Sequence, residues 1–170
     1  MINFTDLHAD EIKRLAAEVD LAIIQTNDDV KKFIHNLTKL IYDYKMIGKI
    51  YDFYPKDVEY HKQNKVLFHD VEDVVRDVAT FLAAFPNIKT NIESIIVEKQ
   101  NDDFYKVSKR LHYWGNNYGI GKFGVATGKS LSNNCMSMSI IHLKRINDQW
   151  KIPFEINNDS EMWLEEVQTP

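Results

Sequence analysis

Apolar residues recur at helical spacing near the start of the chain, which predicts two helices. The first begins at Asp6 or Asp10 and ends near Gln25. Its apolar face consists of Ile12, Leu15, Ala16, Val19 and Ile23. The second opens at Asp28 and carries an apolar stripe over residues 33–44. Each helix therefore has one face to bury against the rest of the protein.

Shorter elements and a third helix follow, up to Pro86. Residues 50–54 predict a short helix and residues 58–61 a short strand, with a polar loop after the strand. Asp70 is placed to cap the third helix, over residues 71–84, and Pro86 stops it.

After Pro86 the apolar period changes from about 3.6 residues to about 2, which predicts four strands. They cover residues 88–99, 104–114, 131–146 and 150–157. In the last strand one face is predicted to hold Trp150, Ile152, Phe154 and Ile156. Glu155 then points to solvent. Pro153 lacks a backbone donor, so this strand lies at an edge or has a bulge there.

Helices followed by antiparallel strands predict an α+β domain, with N-terminal helices packed against a strongly bent antiparallel sheet. A bent sheet that wraps around helices leaves a conical cavity. We therefore expect a pocket whose wall is built from residues 86–159.

Composition narrows the functional class. The 170 residues are 44% hydrophobic with a formal net charge of −4, and the basic residues are scattered, so we expect no nucleic-acid partner. No apolar run approaches the ~20 residues that span a bilayer, and no signal peptide is evident. These features predict a cytoplasmic protein without a membrane partner. The single cysteine, Cys135, excludes an internal disulfide and is expected to be a buried thiol.

The histidines predict no metal site. His8, His35, His69 and His142 share no ligand spacing, and the sequence contains no His-Glu-x-x-His motif. We therefore expect no metal site.

Five short motifs occur in the order found in one known family. They are Lys56-Asp-Val-Glu-Tyr-His61, a helix over residues 72–87 that closes on Phe-Pro-Asn, Gly115-Asn-Asn-Tyr-Gly119, Thr127-Gly-Lys129 and Arg145-Ile-Asn-Asp148. The chain in this way resembles the SnoaL-like polyketide cyclases of the nuclear-transport-factor-2-like superfamily. The resemblance implies a SnoaL-like domain over residues 28–170, preceded by an N-terminal helical extension over residues 1–27.

The resemblance also implies a cone-shaped α+β barrel that forms a homodimer or a higher homo-oligomer. The family's cyclases close a ring by intramolecular aldol condensation without a cofactor, which implies a small, apolar, carbonyl-bearing substrate. In such an enzyme a carboxylate abstracts an acidic proton, and neighbouring polar groups stabilise the enolate.

Two positions depart from the family pattern. Asn117 stands where the family has a pocket histidine, and asparagine does not take up a proton at neutral pH. Asn158 stands where the family has its catalytic aspartate, with Asp159 beside it. Because adjacent strand residues point to opposite faces, either a bulge near Pro153 turns Asp159 inward or the site lacks its base.

The candidate catalytic residues are Asp159, as the base, and His61. The candidate ligand-binding residues are Tyr54, His112, Trp114, Asn117, Met136, Met138, Phe154 and Asn158. Several have structural alternatives. His61 suits a surface position at a strand end, and Asp159 suits a cap for a terminal helix over residues 161–167. The face that holds His112 and Trp114 also suits an oligomer interface, and the two methionines suit the core.

Two other hypotheses use the same fold. One is a non-catalytic protein that binds a small hydrophobic ligand in the cavity, and the other is an oligomer subunit with a filled cavity. An inward carboxylate beside polar groups favours catalysis, whereas an all-apolar lining favours binding.

Overall fold

The computed structural model describes residues 4–62, 66–131 and 135–159. The helices in these ranges are α1 Phe4–Asp20, α2 Asn27–Thr38, α3 Gly48–Phe53 and α4 Val71–Ala84, and a π-helical turn, Lys39–Asp43, continues α2. The strands are β1 Glu59–Lys62, β2 Val66–Phe68, β3 Lys89–Asn101, β4 Phe104–Trp114, β5 Met136–Ile146 and β6 Gln149–Asp159.

The strands form one mixed sheet in the order β2-β1-β6-β5-β4-β3. β1 runs parallel to β6, and the other neighbouring pairs are antiparallel. The four long strands occur where the alternating pattern predicted them, except that β5 begins at Met136 rather than at Leu131. β2 occupies a segment that the sequence pattern indicated as a polar loop, because it is short and finds its partner only in β1.

The helices cover one face of the sheet, and the core lies between the two layers. The helices contribute the buried side chains Val30, Phe33, Ile34, Val74, Val78 and Phe81. The sheet contributes Tyr105, Val107, Leu111, Ile141, Leu143 and Ile152. This arrangement confirms the predicted cone-shaped α+β class, and we call the space between the layers the cone interior. No helix among the described residues is long and apolar enough to cross a membrane.

The N-terminal helix α1 shares this core. Leu15 and Val19 are 5% and 2% exposed. The helix ends at Asp20 rather than near Gln25, and Ile23 is 75% exposed, so the prediction that Ile23 belongs to the buried face is wrong. The division of the chain at residue 27 stays a prediction.

Local capping explains where two helices begin. At α2 the Thr26 side chain accepts from the Asp29 N–H, while the Asp29 carboxylate accepts from the Thr26 N–H. This capping box starts a new helix just after α1 has ended. At α4 the Asp70 carboxylate accepts from the Glu72 N–H at 2.9 Å, which confirms the predicted cap.

The loop over residues 115–130 covers the C-terminal end of α4. The Gly119 N–H donates to the Ala84 carbonyl at 3.3 Å, one of the helix carbonyls that lack an intrahelical partner. A Cβ on Gly119 would lie 1.8 Å from the Ala83 carbonyl oxygen. Only glycine permits this approach.

Candidate functional site

A bulge in β6 decides which of its side chains enter the cone interior. In the register with β5, Lys144 faces Lys151 and His142 faces Phe154, so β6 has one residue more than β5 between these pairs. The extra residue reverses the alternation of side chains along the strand. The bulge suggested by Pro153 is therefore present.

Beyond the bulge, Glu155, Asn157 and Asp159 share the inner face. Glu155 is 4% exposed and Asn157 is 6% exposed. The predictions that Glu155 points to solvent and that Phe154 shares a face with Ile152 are wrong, because both assumed unbroken alternation.

Hydrogen bonds join these side chains to neighbouring elements. The Tyr54 hydroxyl donates to Oε1 of Glu155 at 2.8 Å. Nδ2 of Asn157 donates to the Tyr60 hydroxyl at 3.0 Å, and the Ser137 hydroxyl donates to Oδ1 of Asn157 at 2.7 Å. The bonds connect the end of α3 with β1, β5 and β6, and they hold the polar groups in fixed positions.

Burial controls the protonation of the interior groups. It raises the pKa of the Glu155 carboxyl, an effect opposed by the charge of Lys109 and by hydrogen bonds from Tyr54 and Tyr60. Burial also raises the pKa of four interior phenols, those of Tyr42, Tyr54, Tyr60 and Tyr113. The phenols are therefore neutral donors at neutral pH.

Lys109 is a basic residue on the inner face of β4. Its ammonium donates to the Thr38 hydroxyl at 3.1 Å. Burial lowers the pKa of this ammonium, while the charges of Glu155 and Asp159 act in the opposite direction. The interior thus holds an acid and a base whose pKa values burial shifts toward neutrality.

Asp159 has an unusual environment for a carboxylate. Its Oδ1 is buried and has no hydrogen-bond partner among the described residues. Most buried polar atoms in proteins are paired, so this oxygen is a candidate acceptor for a bound ligand or water. The proposed alternative of a helix cap concerns residues 161–167, which lie outside the described part of the chain.

The interior contains two small adjoining cavities with a shared wall. One leaves about 30 Å³ for the centres of water molecules and is lined by groups that include Lys109 and Glu155. The other leaves about 20 Å³ and is lined by groups that include Asp159 and Lys122. Both are bordered by Tyr42, Tyr60, Val78, Tyr113 and Asn157. Each has room for one or two waters, so a larger ligand requires movement of the lining side chains.

Most of the predicted ligand-binding residues lie on the outer face of the sheet. This set comprises His112, Trp114, Met136, Met138, Phe154 and Asn158, and none of them lines the two interior cavities. Trp114 is 58% exposed and Met138 55% exposed. Tyr54 is the predicted ligand-binding residue that does line the interior.

His61 also lies away from the interior. Its neighbour Tyr60 points inward, so His61 faces out, where its Nε2 lies 2.8 Å from Oε1 of Glu59. Its ring packs against Phe154 with centroids 5.4 Å apart. The structure therefore separates His61 from Asp159, the other candidate catalytic residue.

Asn117 is fully buried, but it serves the loop rather than a cavity. Its Nδ2 donates to the carbonyls of Ala84 and Gly119 at 3.1 and 3.2 Å. Its Oδ1 accepts from the backbone N–H and the hydroxyl of Thr127 at 3.0 and 2.9 Å. With these four bonds the amide is saturated, and it ties the loop to the end of α4.

Sequence reasoning missed Glu155, Lys109 and three of the tyrosines, Tyr42, Tyr60 and Tyr113, as interior groups. A signal for Lys109 existed, because this lysine alternates with Val107 and Leu111 on an otherwise apolar strand face. No comparable local signal existed for Glu155, whose direction depends on the bulge. Among the described residues, no group of three His, Cys, Asp or Glu side chains is arranged to hold a metal ion.

Comparisons with known proteins support the fold. The sequence matches no family model and no curated protein. The structure is similar to that of a hexachlorocyclohexane dehydrochlorinase, LinA-type3, from Novosphingobium barchaimii, at 10% identity and a TM-score of 0.63 over 93% of this chain and 95% of that one. It is also similar to a putative scytalone dehydratase from Novosphingobium aromaticivorans, at 8% identity and a TM-score of 0.62 over 79% and 87% of the two chains. A putative hydroxylase from Streptomyces galilaeus, AclR, matches at 15% identity and a TM-score of 0.60 over 79% and 91%. The chain thus has the same cone-shaped α+β fold as these structures.

Proposed function

We propose that this protein is a cofactor-free enzyme that abstracts a proton from a small, apolar, carbonyl-bearing substrate inside the cone. Asp159 is the base in this proposal. The reaction belongs to the cyclase or isomerase type that the SnoaL-like resemblance implies.

The unpaired Oδ1 of Asp159 is the observation that carries the proposal. A general base must offer a lone pair to the proton that it removes. Glu155 accepts a hydrogen bond from Tyr54, whereas Oδ1 of Asp159 accepts none from the described residues and can accept one from a substrate. Asp159 is therefore the better base of the two carboxylates.

The tyrosines supply the second requirement of such a reaction. Tyr42 and Tyr113 border the cavity that Asp159 lines, and a neutral hydroxyl there can donate to a developing enolate oxygen. Donors held in place by packing need little reorganisation during the reaction. A lining of carboxylates beside polar groups also supports catalysis over the alternative of a passive binder of a small hydrophobic ligand.

The named activities of two similar structures agree with this chemistry. A dehydratase and a dehydrochlorinase are elimination enzymes by name. Fold alone does not transfer a reaction, so the argument depends on the interior residues.

Solvent deuterium exchange tests the proposal without knowledge of the product. The protein is incubated in D2O with a panel of small ketones and aldehydes, and deuterium at the α-carbon is followed by NMR. We expect exchange above the buffer rate, and we expect Asp159→Asn to lower it by at least about a hundredfold, the usual contribution of a general base. Asp57→Asn, at an exposed turn, is the control.

Unchanged exchange in Asp159→Asn would exclude Asp159 as the base. A ligand from the panel that raises the melting temperature but shows no exchange would favour the binding protein instead.

We also propose that the protein forms a homodimer through the outer face of its sheet. This face exposes several large apolar side chains, among them Ile96, Trp114, Met138 and Ile140. Contiguous apolar surface of this kind is typical of protein interfaces.

A further inference from the structure

Lys109 is placed unusually for a lysine. It lies on the inner face of β4, between Val107 and Leu111, which are 0% and 1% exposed. In the sheet it stands opposite Ser139, which is also buried. The side chain therefore extends across the cone interior to reach Thr38 on α2.

No carboxylate of the described residues forms an ion pair with the Lys109 ammonium. Its one hydrogen bond among the described residues goes to the Thr38 hydroxyl, which itself donates to the Ile34 carbonyl at 2.7 Å. Neither Glu155 nor Asp159 forms an ion pair with it, although both are close enough to influence its pKa.

Other enclosed lysines show how the protein normally neutralises such a charge. Lys49 is 9% exposed and lies 2.7 Å from a carboxylate oxygen of Asp20. Lys62 lies 2.5 Å from a carboxylate oxygen of Asp77. An enclosed ammonium without such a partner is costly, so burial lowers the pKa of Lys109 and raises the fraction of neutral amine.

A neutral amine in an enclosed cavity is a nucleophile toward carbonyl groups. The amine of Lys109 shares its cavity with Glu155, and the pKa of that carboxyl is raised by burial. A raised pKa makes it easier for a carboxyl to hold a proton and to donate it to a leaving hydroxyl. The cavity thus combines a nucleophile with an acid.

We propose that Lys109 forms a reversible imine with the carbonyl group of the substrate. The Nζ lone pair attacks the carbonyl carbon, and one N–H proton moves to the carbonyl oxygen to form a carbinolamine. The Glu155 carboxyl protonates the hydroxyl, a C=N bond forms as water leaves, and the product is an iminium ion. Loss of the iminium proton returns the proton to Glu155. Water reverses the sequence and releases the amine.

The imine adds a step to the proposed function, and its role in turnover depends on that function. The iminium ion withdraws electrons from the neighbouring carbon, so the proton there becomes more acidic. Asp159 borders the adjoining cavity through the shared wall of Tyr42, Tyr60 and Tyr113. Lys109 would activate the substrate, and Asp159 would remove the proton.

Reductive trapping tests the imine on the wild-type protein. The protein is treated with limiting acetaldehyde, a probe small enough for the cavity, and sodium cyanoborohydride near pH 7. Peptide mapping by mass spectrometry then locates the ethylated lysines. We expect Lys109 to be labelled at least about tenfold more than Lys106, its exposed neighbour on β4, because each unit of pKa lowering gives about ten times more neutral amine.

If Lys109 is labelled no more than Lys106, the proposal of an imine at Lys109 is refuted. Mapping the wild-type protein avoids dependence on the folding of a variant. Lys106→Arg should leave the Lys109 label unchanged.

The two proposals fail in different ways. Asp159→Asn should lose deuterium exchange and keep the Lys109 label, whereas Lys109→Met should lose both. If Lys109→Met folds by circular dichroism and exchanges at the wild-type rate, the imine has no role in turnover and that part of the inference is refuted. If Asp159→Asn exchanges normally, the proposed function fails even where the label is found.

Discussion

The Tyr54 hydroxyl donates a 2.8 Å hydrogen bond to Oε1 of Glu155 and joins the end of α3 to the middle of β6. Both groups lie in the cone interior and line the same small cavity. The bond therefore connects the helical layer to the polar wall of the sheet.

Removal of this bond should destabilise the protein. Tyr54→Phe leaves a buried carboxyl oxygen without its donor, which should lower the free energy of unfolding by about 1–2 kcal/mol. Tyr51→Phe is a matched control, because Tyr51 donates a similar 2.7 Å bond to Glu72 but is 46% exposed. Its effect should stay within about 0.5 kcal/mol. If urea unfolding shows equal losses of unfolding free energy for Tyr54→Phe and Tyr51→Phe, the interior role of Tyr54 is contradicted.

Glu155 should make stability depend on pH. Its folded pKa is raised above the ordinary value of 4.5, so the folded state holds the proton more tightly than the unfolded state. The stability from this group is present below the unfolded pKa and is lost as pH rises through the folded pKa. As pH rises from about 4 to about 8, the stability of Glu155→Gln should therefore increase relative to that of wild type. Urea unfolding at both pH values measures the difference, with the exposed Glu98→Gln as control. If the difference in unfolding free energy between Glu155→Gln and wild type does not change with pH, the raised pKa of Glu155 is refuted.

Gly119 should not tolerate a side chain. The Cβ of Gly119→Ala would meet the Ala83 carbonyl oxygen at 1.8 Å, so the loop must shift away from α4. We expect a loss of about 3 kcal/mol in the free energy of unfolding. At Gly48 a Cβ meets nothing within 4 Å, so Gly48→Ala should be neutral or slightly stabilising. Thermal unfolding of the two variants compares them directly, and similar melting temperatures would contradict the close packing of the loop.

The Cys135 thiol should be unreactive in the folded protein. It is buried, as the sequence suggested, and burial raises its pKa from 9.0 to about 12. The thiolate fraction near pH 8 then falls about a thousandfold, and the thiolate is the reactive form. Iodoacetamide should therefore alkylate Cys135 only after unfolding in urea, as followed by intact mass. Rapid alkylation of the native protein would show that the thiol is accessible.

A charge on the outer sheet face should prevent the proposed self-association. Ile140 is 45% exposed in the centre of that face, and Ile140→Lys would place an ammonium in the interface. We expect a dimer for wild type and a monomer for the variant in sedimentation velocity. Val125→Lys is the control, because Val125 is 73% exposed but lies in the loop over residues 115–130. A wild-type monomer would refute the interface.

The order of the elements was predictable because the signals for it are local. Helical spacing, the Asp70 cap and the alternating pattern after Pro86 depend on residues a few positions apart. The end of α1 was less predictable. Ile23 continues the helical pattern, yet the Thr26 capping box starts α2 and leaves Ile23 outside.

The candidate site was predictable only in part. Tyr54 and Asp159 are placed in the interior, and the bulge near Pro153 was one of the two possibilities derived from the sequence. The other predicted side chains were assigned to the pocket by motif position. Motif position does not report the face of a strand, and a shift of one residue sends a side chain to the opposite side of the sheet.

The sequence by itself determined the α+β class and the long strands, because these features follow from local periodicity. Only the tertiary structure decided that Asp159, Glu155 and Lys109 meet in one interior. The reason is the pairing of β6 with β5. The bulge that reverses the inner face of β6 exists only in that register, and burial then shifts the protonation of Glu155 and Lys109.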